Sequence, residues 1–404
     1  MTAAGYADRA ALWLAVALGF SIPISTALDN LLVAALLLCF IAGGRYREKL
    51  AAVRNNAFVV IPFALFLMHL AGALYSKGEW KEVLHAIDKA SILLLIPLLV
   101  ALNPNAVWRE RALVAFMAAL LVTLALSYLV WLRVLPEGGW IKGVPSDPVI
   151  FKLHITHSVL MAFGAFLFAV KAREVVSTGT RVFLALTAAL AAFNVLFMVH
   201  GRTGQLVLLS LLLFGFVYWL RWRGIAAAAV AGLAIGGIVQ IMPSSSLLYR
   251  AQNTIAELKD WRAGKPAQPS NMRPETWRNS AEIVRAHPIV GVGTGGFPAA
   301  YAHQTHGTQM RPVSHPENQY LLIAVQFGLV GLAVVIAAFF FQWRLSGRLA
   351  APIDSQLARG LIVTMAVGCL FNSFLVDHTE SLFYAWLTGL LFAGLQPRES
   401  RNAG

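Results

Sequence analysis

Apolar residues run through this chain in long blocks separated by short polar clusters. The blocks fall at roughly 10–25, 27–44, 57–75, 90–103, 111–132, 154–170, 181–199, 205–220, 224–242, 318–343, 357–376 and 381–395. Each approaches the length of about 20 residues that crosses a bilayer as a helix. The pattern predicts an all-α polytopic membrane protein with about twelve transmembrane helices. The first block is followed by many others, so it reads as a span and not as a cleaved signal peptide. Alternating ten-residue strands, the signature of a membrane β-barrel, are missing. In "SIPISTALDN", Pro23 and the Asp29–Asn30 pair separate the first two blocks.

The one long interruption runs from about Pro243 to Glu317. It divides the chain into a first helical part (1–242), a loop (243–317) and a closing helical part (318–404). Structureless loops of that length are rare and often functional. Helical spacing shows in two places. Leu247, Leu248, Ala251, Ile255 and Leu258 predict an amphipathic helix over 247–262, and Trp277, Ala281, Ile283 and Val284 predict another over 275–287. Between the second helix and the next span lies "GVGTGG" (291–296). With neither a strand before it nor a helix after it, this reads as a turn that brings backbone close to another element and not as a nucleotide site.

Composition agrees with the blocks. The chain is 58% hydrophobic and 13% charged, where soluble domains carry about 25% charged residues. Cys39 and Cys369 both fall inside apolar blocks with no metal-ligand spacing, so they read as small buried hydrophobes. The net charge is +13. With no soluble basic domain, nucleic acid is excluded as a partner, and the excess points to topology, anionic lipid or an anionic substrate. Lys and Arg concentrate in one set of connections, for example Arg45, Arg47, Lys49 and Arg54, or Lys171, Arg173 and Arg181. By the positive-inside rule that set is cytoplasmic, as are both termini. The long loop and the alternate connections then face outward, which in a Gram-negative inner membrane is the periplasm.

Polar groups on that outer face carry the candidate chemistry. They include Lys81, His154, Arg202, Gln205, Arg273, Arg278, His315, Glu317, Asn318, Tyr320 and Asp377. Arg202 sits in "HGRTGQ" (200–205), which joins two spans with almost no loop. A guanidinium at that boundary either snorkels to lipid or pairs with an anion, and its planar fork suits phosphate. Gly201 and Gly204 beside it permit close backbone approach. In "MRPETWRNS" (272–280), a helix starting near Pro274 places Arg273 at an anion-favouring amino end, with Arg278 one turn on. Both also read as solvated charges. His315 and Glu317 stand at the mouth of a span expected to begin near Pro316, and either is a candidate proton acceptor. Glu317 also reads as a first-turn acid that the helix dipole favours. Asp377 either orients a positive group or hydroxyl, or caps the helix that follows. His303 and His306 lack a third ligand nearby, and no metal is expected.

"RPETWRNSAEIVRAHPIVGVGTGGF", then "HPENQYLLIAVQFGLVGL", with "GRTGQ" upstream, resembles the bacterial O-antigen ligase and polymerase family. The twelve-span layout with one long loop before the tenth span is similar too. The resemblance implies a GT-C-like membrane glycosyltransferase that works without metal or other cofactor. Its donor would be O antigen carried on undecaprenyl diphosphate, and its acceptor lipid A–core oligosaccharide. It makes Arg202, Arg273 and Arg278 the diphosphate-binding arginines and places a catalytic histidine before the tenth span. In many ligases that histidine directly precedes Asn318; here the position is Glu317, and the nearest histidine is His315. A polymerase, which accepts on a second lipid-linked glycan, shares donor and arginines. A lipid-linked sugar transporter is disfavoured because the chain shows no internal repeat.

Overall fold

The computed structural model describes residues 3–136, 138–241, 272–308 and 310–396, with positions 252, 253, 255, 256 and 259. Among them there are helices and isolated bridges but no strand ladder. The helices are α1 (Ala3–Ser21), α2 (Thr26–Ala42), α3 (Tyr46–Arg54), α4 (Val60–Ala73), α5 (Trp80–Ser91), α6 (Leu95–Leu102), α7 (Ala106–Trp131), α8 (His154–Glu174), α9 (Thr178–Phe193), α10 (Arg202–Leu220) and α11 (Arg223–Ile241). After the long interruption come α12 (Arg273–Ala286), α13 (Phe297–Gln304), α14 (Gln319–Ser346), α15 (Pro352–Gly368) and α16 (His378–Phe392). Several starts are fixed by side-chain caps that satisfy free amide N–H groups. Ser25 accepts from Leu28 N, Asn105 from Trp108 N and Asn318 from Leu321 N.

Each of the twelve apolar blocks overlaps a helix. Six described helical segments are long and apolar enough to cross a membrane: Trp80–Leu102, Ala106–Trp131, His154–Glu174, Thr178–Met198, Arg202–Leu220 and Gln319–Ser346. α2 and α3 meet at a 113° bend and make a seventh when taken as one broken span. Several boundaries differ from the sequence reading, and α3 lies wholly in an expected connection. Residues 80–89, expected in a connection, are helical because Val83 and Ala90 give α5 an apolar face to bury. The block 357–376 stops being helical at Gly368, where the Phe374 ring occupies the space a side chain would need. The helix expected from Pro316 begins at Gln319, with Asn318 as its cap. The amphipathic helix expected over 247–262 lies almost wholly outside the described residues. The one expected over 275–287 is α12, with Pro274 in its first turn.

The core sits around α8 and α16, whose side chains are buried on nearly every side. A helix that is apolar all round belongs in such a position. Phe116 stacks on Phe383, and Trp386 Nε1 donates to the Ala15 carbonyl at 2.8 Å. A buried indole N–H would be costly without that acceptor.

The glycine-rich segment has a structural task. α14 is broken at Gly328, which has φ 64°. A break in a buried helix strands carbonyls before it and N–H groups after it. Residues 288–293 supply the missing partners. Val292 N and Gly293 N donate to the Val325 and Gln326 carbonyls at 2.9 and 2.8 Å, while Leu329 N and Val330 N donate to the Pro288 and Ile289 carbonyls at 2.8 and 3.3 Å. Further on, Thr294 N donates to the Gly72 carbonyl at 3.1 Å, and Gly295 N to Gln326 Oε1 at 3.0 Å. Gly293 lies against the Ser76 backbone and Gly295 against that of Glu82, both at positive φ. The turn expected from "GVGTGG" is present, and it brings backbone against backbone as expected. A short helix, α13, does follow it, although no strand precedes it.

Candidate active site

The site is assembled where helices start. Lys152, two residues before α8, is buried. Its Nζ donates to Thr26 Oγ1 in α2 at 2.9 Å and to Thr379 Oγ1 in α16 at 3.2 Å, and lies 3.7 Å from Asp29 Oδ2. The α8 and α10 starts touch through Gly201, whose missing side chain leaves room for Ser158 and the His154 carbonyl; Gly204 leaves room for Ser158 again. Thr203 Oγ1 in α10 accepts from Asn372 Nδ2 at 2.7 Å, and the Asn372 carbonyl accepts from Gln319 N at 3.1 Å. The amino ends of α2, α8, α10, α14 and α16 are thus tied together by named contacts. Each helix start carries roughly half a positive charge, so the face favours an anion.

Arg202 opens α10 at this junction and is half-buried. The preceding π-turn, Asn194–Met198, closes α9 and delivers the chain to it. Such turns are frequent at functional sites. It is held by Asn194, which donates to Ser127 Oγ at 2.8 Å and faces His157 Nε2 at 3.2 Å.

On the neighbouring wall, Arg273 at the start of α12 forms an ion pair with Glu317, Nε to Oε2. Trp277 Nε1, one turn on, donates to the Pro316 carbonyl at 2.9 Å. These two contacts clamp α12 to the entry of α14. Glu317 has φ 49°, a left-handed conformation uncommon for a residue with a side chain. It is therefore not in a helical first turn. His315 Nδ1 lies 3.3 Å from Ser373 Oγ and 3.4 Å from Glu317 N. Burial pushes the His315 imidazole pKa down, and the Glu317 carboxylate pulls it partly back.

The other expected residues are distributed unevenly. Arg278 is exposed and faces Glu282 at 3.6 Å, on the same helix. Asn318 holds the fold, donating to the Leu370 carbonyl at 2.9 Å, and Tyr320 OH donates to the Ala366 carbonyl at 2.9 Å. Gln205 is buried and donates to the Leu196 carbonyl at 3.3 Å. His154 is exposed at the α8 start. Lys81 is exposed near the start of α5, whereas Lys89 at the other end of α5 is the lysine whose charge acts on Asp377. Asp377 occupies the cap position of α16 but makes no capping hydrogen bond. Burial pushes its carboxyl up to about 7, helped by Glu380 and Glu317 and opposed by Lys89.

Two contributors went unnoticed in the sequence. Lys152 is one, although "VIFKLHITH" shows it isolated among apolar residues beside two histidines. Asn372 and Ser373 were absorbed into an apolar block, although two adjacent polar residues in "LFNSFL" mark a break. Among the described residues, no group of three or more His, Cys, Asp or Glu is placed to share a metal ion.

Residues 186–336 match the family model described as O-antigen ligase. The matched segment is similar to that family and covers less than half of the chain. It holds Arg202, Arg273, Arg278, His315 and Glu317, and it ends beyond the Gly328 break. Lys152 and Asp377 lie outside it. No curated protein matches the chain. Similarity to that family, in a helical protein with several membrane-length helices, points to a ligase- or polymerase-type activity.

Proposed function

We propose that the protein transfers O-antigen polysaccharide from undecaprenyl diphosphate to lipid A–core oligosaccharide, at the periplasmic face of the bacterial inner membrane. One observation carries this reading. The Thr203–Asn372–Gln319 contacts join the Arg202 helix start to the entry of α14, where Arg273, Glu317 and His315 cluster. Arginines and a proton acceptor thus border one junction of helix amino ends.

The chemistry follows from those groups. A diphosphate leaving group gains negative charge as the sugar departs. Guanidiniums and helix starts placed to meet that charge supply electrostatic stabilisation, and removing one such donor typically costs about 10²–10³ in rate. Arg273 is engaged by Glu317 until donor arrives. The donor's diphosphate competes for Arg273 and releases the carboxylate, which then accepts the proton of the acceptor hydroxyl. Positioned bases contribute about 10²–10⁴-fold. A neutral His315 that accepts the Glu317 N–H at Nδ1 carries its proton on Nε2, which suits it to donate to substrate oxygen. This assigns the base to Glu317 and leaves His315 as a positioning donor. A single in-line displacement, which inverts the configuration, requires the released Glu317 carboxylate to reach the face of the anomeric carbon opposite the diphosphate.

The test is ligation in vitro with defined donor and acceptor. Glu317→Gln is expected to lower kcat by at least about 10²-fold while donor binds more tightly, because its competitor for Arg273 has lost its charge. His315→Ala is expected to lower activity less. Full activity in Glu317→Gln would remove the base assignment. A product extended on the lipid-linked donor, with lipid A–core ignored, would identify a polymerase instead.

A further inference from the structure

The far ends of α8 and α10 and the first half of α9 border an open concavity of about 560 Å³. Its walls are alanines: Ala169 and Ala172 from α8, and Ala185 and Ala188 from α9, with Trp219 of α10 beside them. Small side chains leave a trough there that larger ones would fill. Val182, Phe183 and Leu186 of α9 are exposed, as are Leu213 and Val217 of α10. Apolar side chains exposed on a membrane helix face lipid chains. From His154 to Arg173 the rise of α8 is about 30 Å, which matches the hydrocarbon thickness of a bilayer. The trough therefore lies at the opposite membrane interface from the candidate active site.

Two guanidiniums, Arg173 and Arg181, also line it. Arg173 lies over the Trp219 ring at 4.9 Å, and Trp219 is fixed in turn by donating Nε1 to Gln356 Oε1 at 3.0 Å. Arg181 Nη2 donates to the Val175 carbonyl at 3.0 Å. Both are anchored, yet neither has an ion pair with a carboxylate among the described residues. Neighbouring Lys171 differs, being paired with Glu110 at 2.5 Å. An anchored fork with its charge uncompensated, at a membrane interface, is complementary to a phosphate.

We propose that this trough binds an anionic phospholipid, with one acyl chain along the alanines and the phosphate between Arg173 and Arg181. A zwitterionic lipid offers the same chain, but its own cation offsets the phosphate charge. Free inorganic phosphate offers the charge without the chain. Basic pockets between membrane helices bind acidic headgroups by the same logic. The site is independent of the transfer reaction and of the residues assigned to it.

The full-length protein, purified and exchanged into mixtures of phosphatidylglycerol and phosphatidylcholine with matched chains, tests this by native mass spectrometry. The wild type is expected to retain phosphatidylglycerol at least tenfold over phosphatidylcholine, and millimolar inorganic phosphate is expected not to displace it. Arg173→Gln with Arg181→Gln is expected to abolish the preference. Ala185→Trp keeps both charges and fills the trough, and it is expected to reduce retention of either lipid. All three positions are exposed, so thermal melting should show folded protein in each variant. Equal retention of the two lipids by the wild type, displacement by inorganic phosphate, or unchanged retention in either variant would overturn the proposal.

Discussion

The glycine-rich segment at 288–296 and the rim formed by Arg273, His315 and Glu317 both pack against α14, and they use polar groups in opposite ways. In the glycine segment, backbone N–H and carbonyl groups meet partners across the Gly328 break, and the glycines let main chains touch. At the rim, Arg273 and Glu317 are partly exposed and, among the described residues, paired with each other. The first region is hydrogen-bonded throughout and buried from Val292 onward, so it holds α14, α4 and α5 in register. The second keeps charges within reach of solvent, where an incoming anion can compete for them. A fixed scaffold beside an exchangeable ion pair is a layout that serves binding better than stability.

The largest expected effect breaks the scaffold. Gly293 has φ +89°, and a side chain there would collide with the Ser76 backbone. Gly293→Val is expected to cost about 4 kcal/mol or more, the range reserved for buried backbone conflicts. Thermal melting in detergent should show early unfolding, and a native-like melt would mean that the segment is not packed as described. A smaller effect is expected where the two regions are tied to α10. Asn372→Ala removes the hydrogen bond to Thr203 and leaves a buried hydroxyl without its donor, at a cost of about 1–3 kcal/mol. Activity should fall more than the melt alone explains, because the Arg202 helix start loses its tie to α14. Parallel losses in both would reduce this contact to stability alone.

Asp377 gives the subtlest effect. Burial raises its carboxyl from 3.8 to about 7. Between those values the folded state holds a proton that the unfolded state has lost. The stabilisation is complete below about pH 4 and is lost as pH rises through about 7. Asp377→Asn, which mimics the protonated form, should therefore flatten the decline in melting temperature from pH 5 to pH 8 and melt higher than the wild type at pH 8. An unchanged pH profile would show that Asp377 is not the titrating group.

Much of this contrast was legible in the residues. Pro274 marked the start of α12, and "GVGTGG" marked close backbone contact, because proline and glycine act on local geometry alone. Gly201 and Gly204 signalled the tight approach to α8 for the same reason. What escaped depended on distant partners. Nothing local says that Lys152 meets Thr26 and Thr379, or that Asn372 meets Thr203. Averaged apolarity concealed the turn after Gly368, since Phe371, Phe374 and Leu375 kept the block hydrophobic after the helix had ended. The conformation of Glu317 was equally unreadable. The residue is flanked by the Arg273 pair and the Asn318 cap, and the distant partner is not a property of "HPEN" by itself.

The central claim is that Arg202 and Arg273 act together on one anionic group. Donor binding to the purified protein, measured with Arg202→Ala, Arg273→Ala and the double variant, tests it most directly. Each single variant should weaken binding by at least tenfold while its melt stays near that of the wild type. The double variant should lose much less than the product of the two, as coupled residues do. Unaltered donor affinity in either single variant, or losses that simply multiply, would contradict a shared diphosphate site.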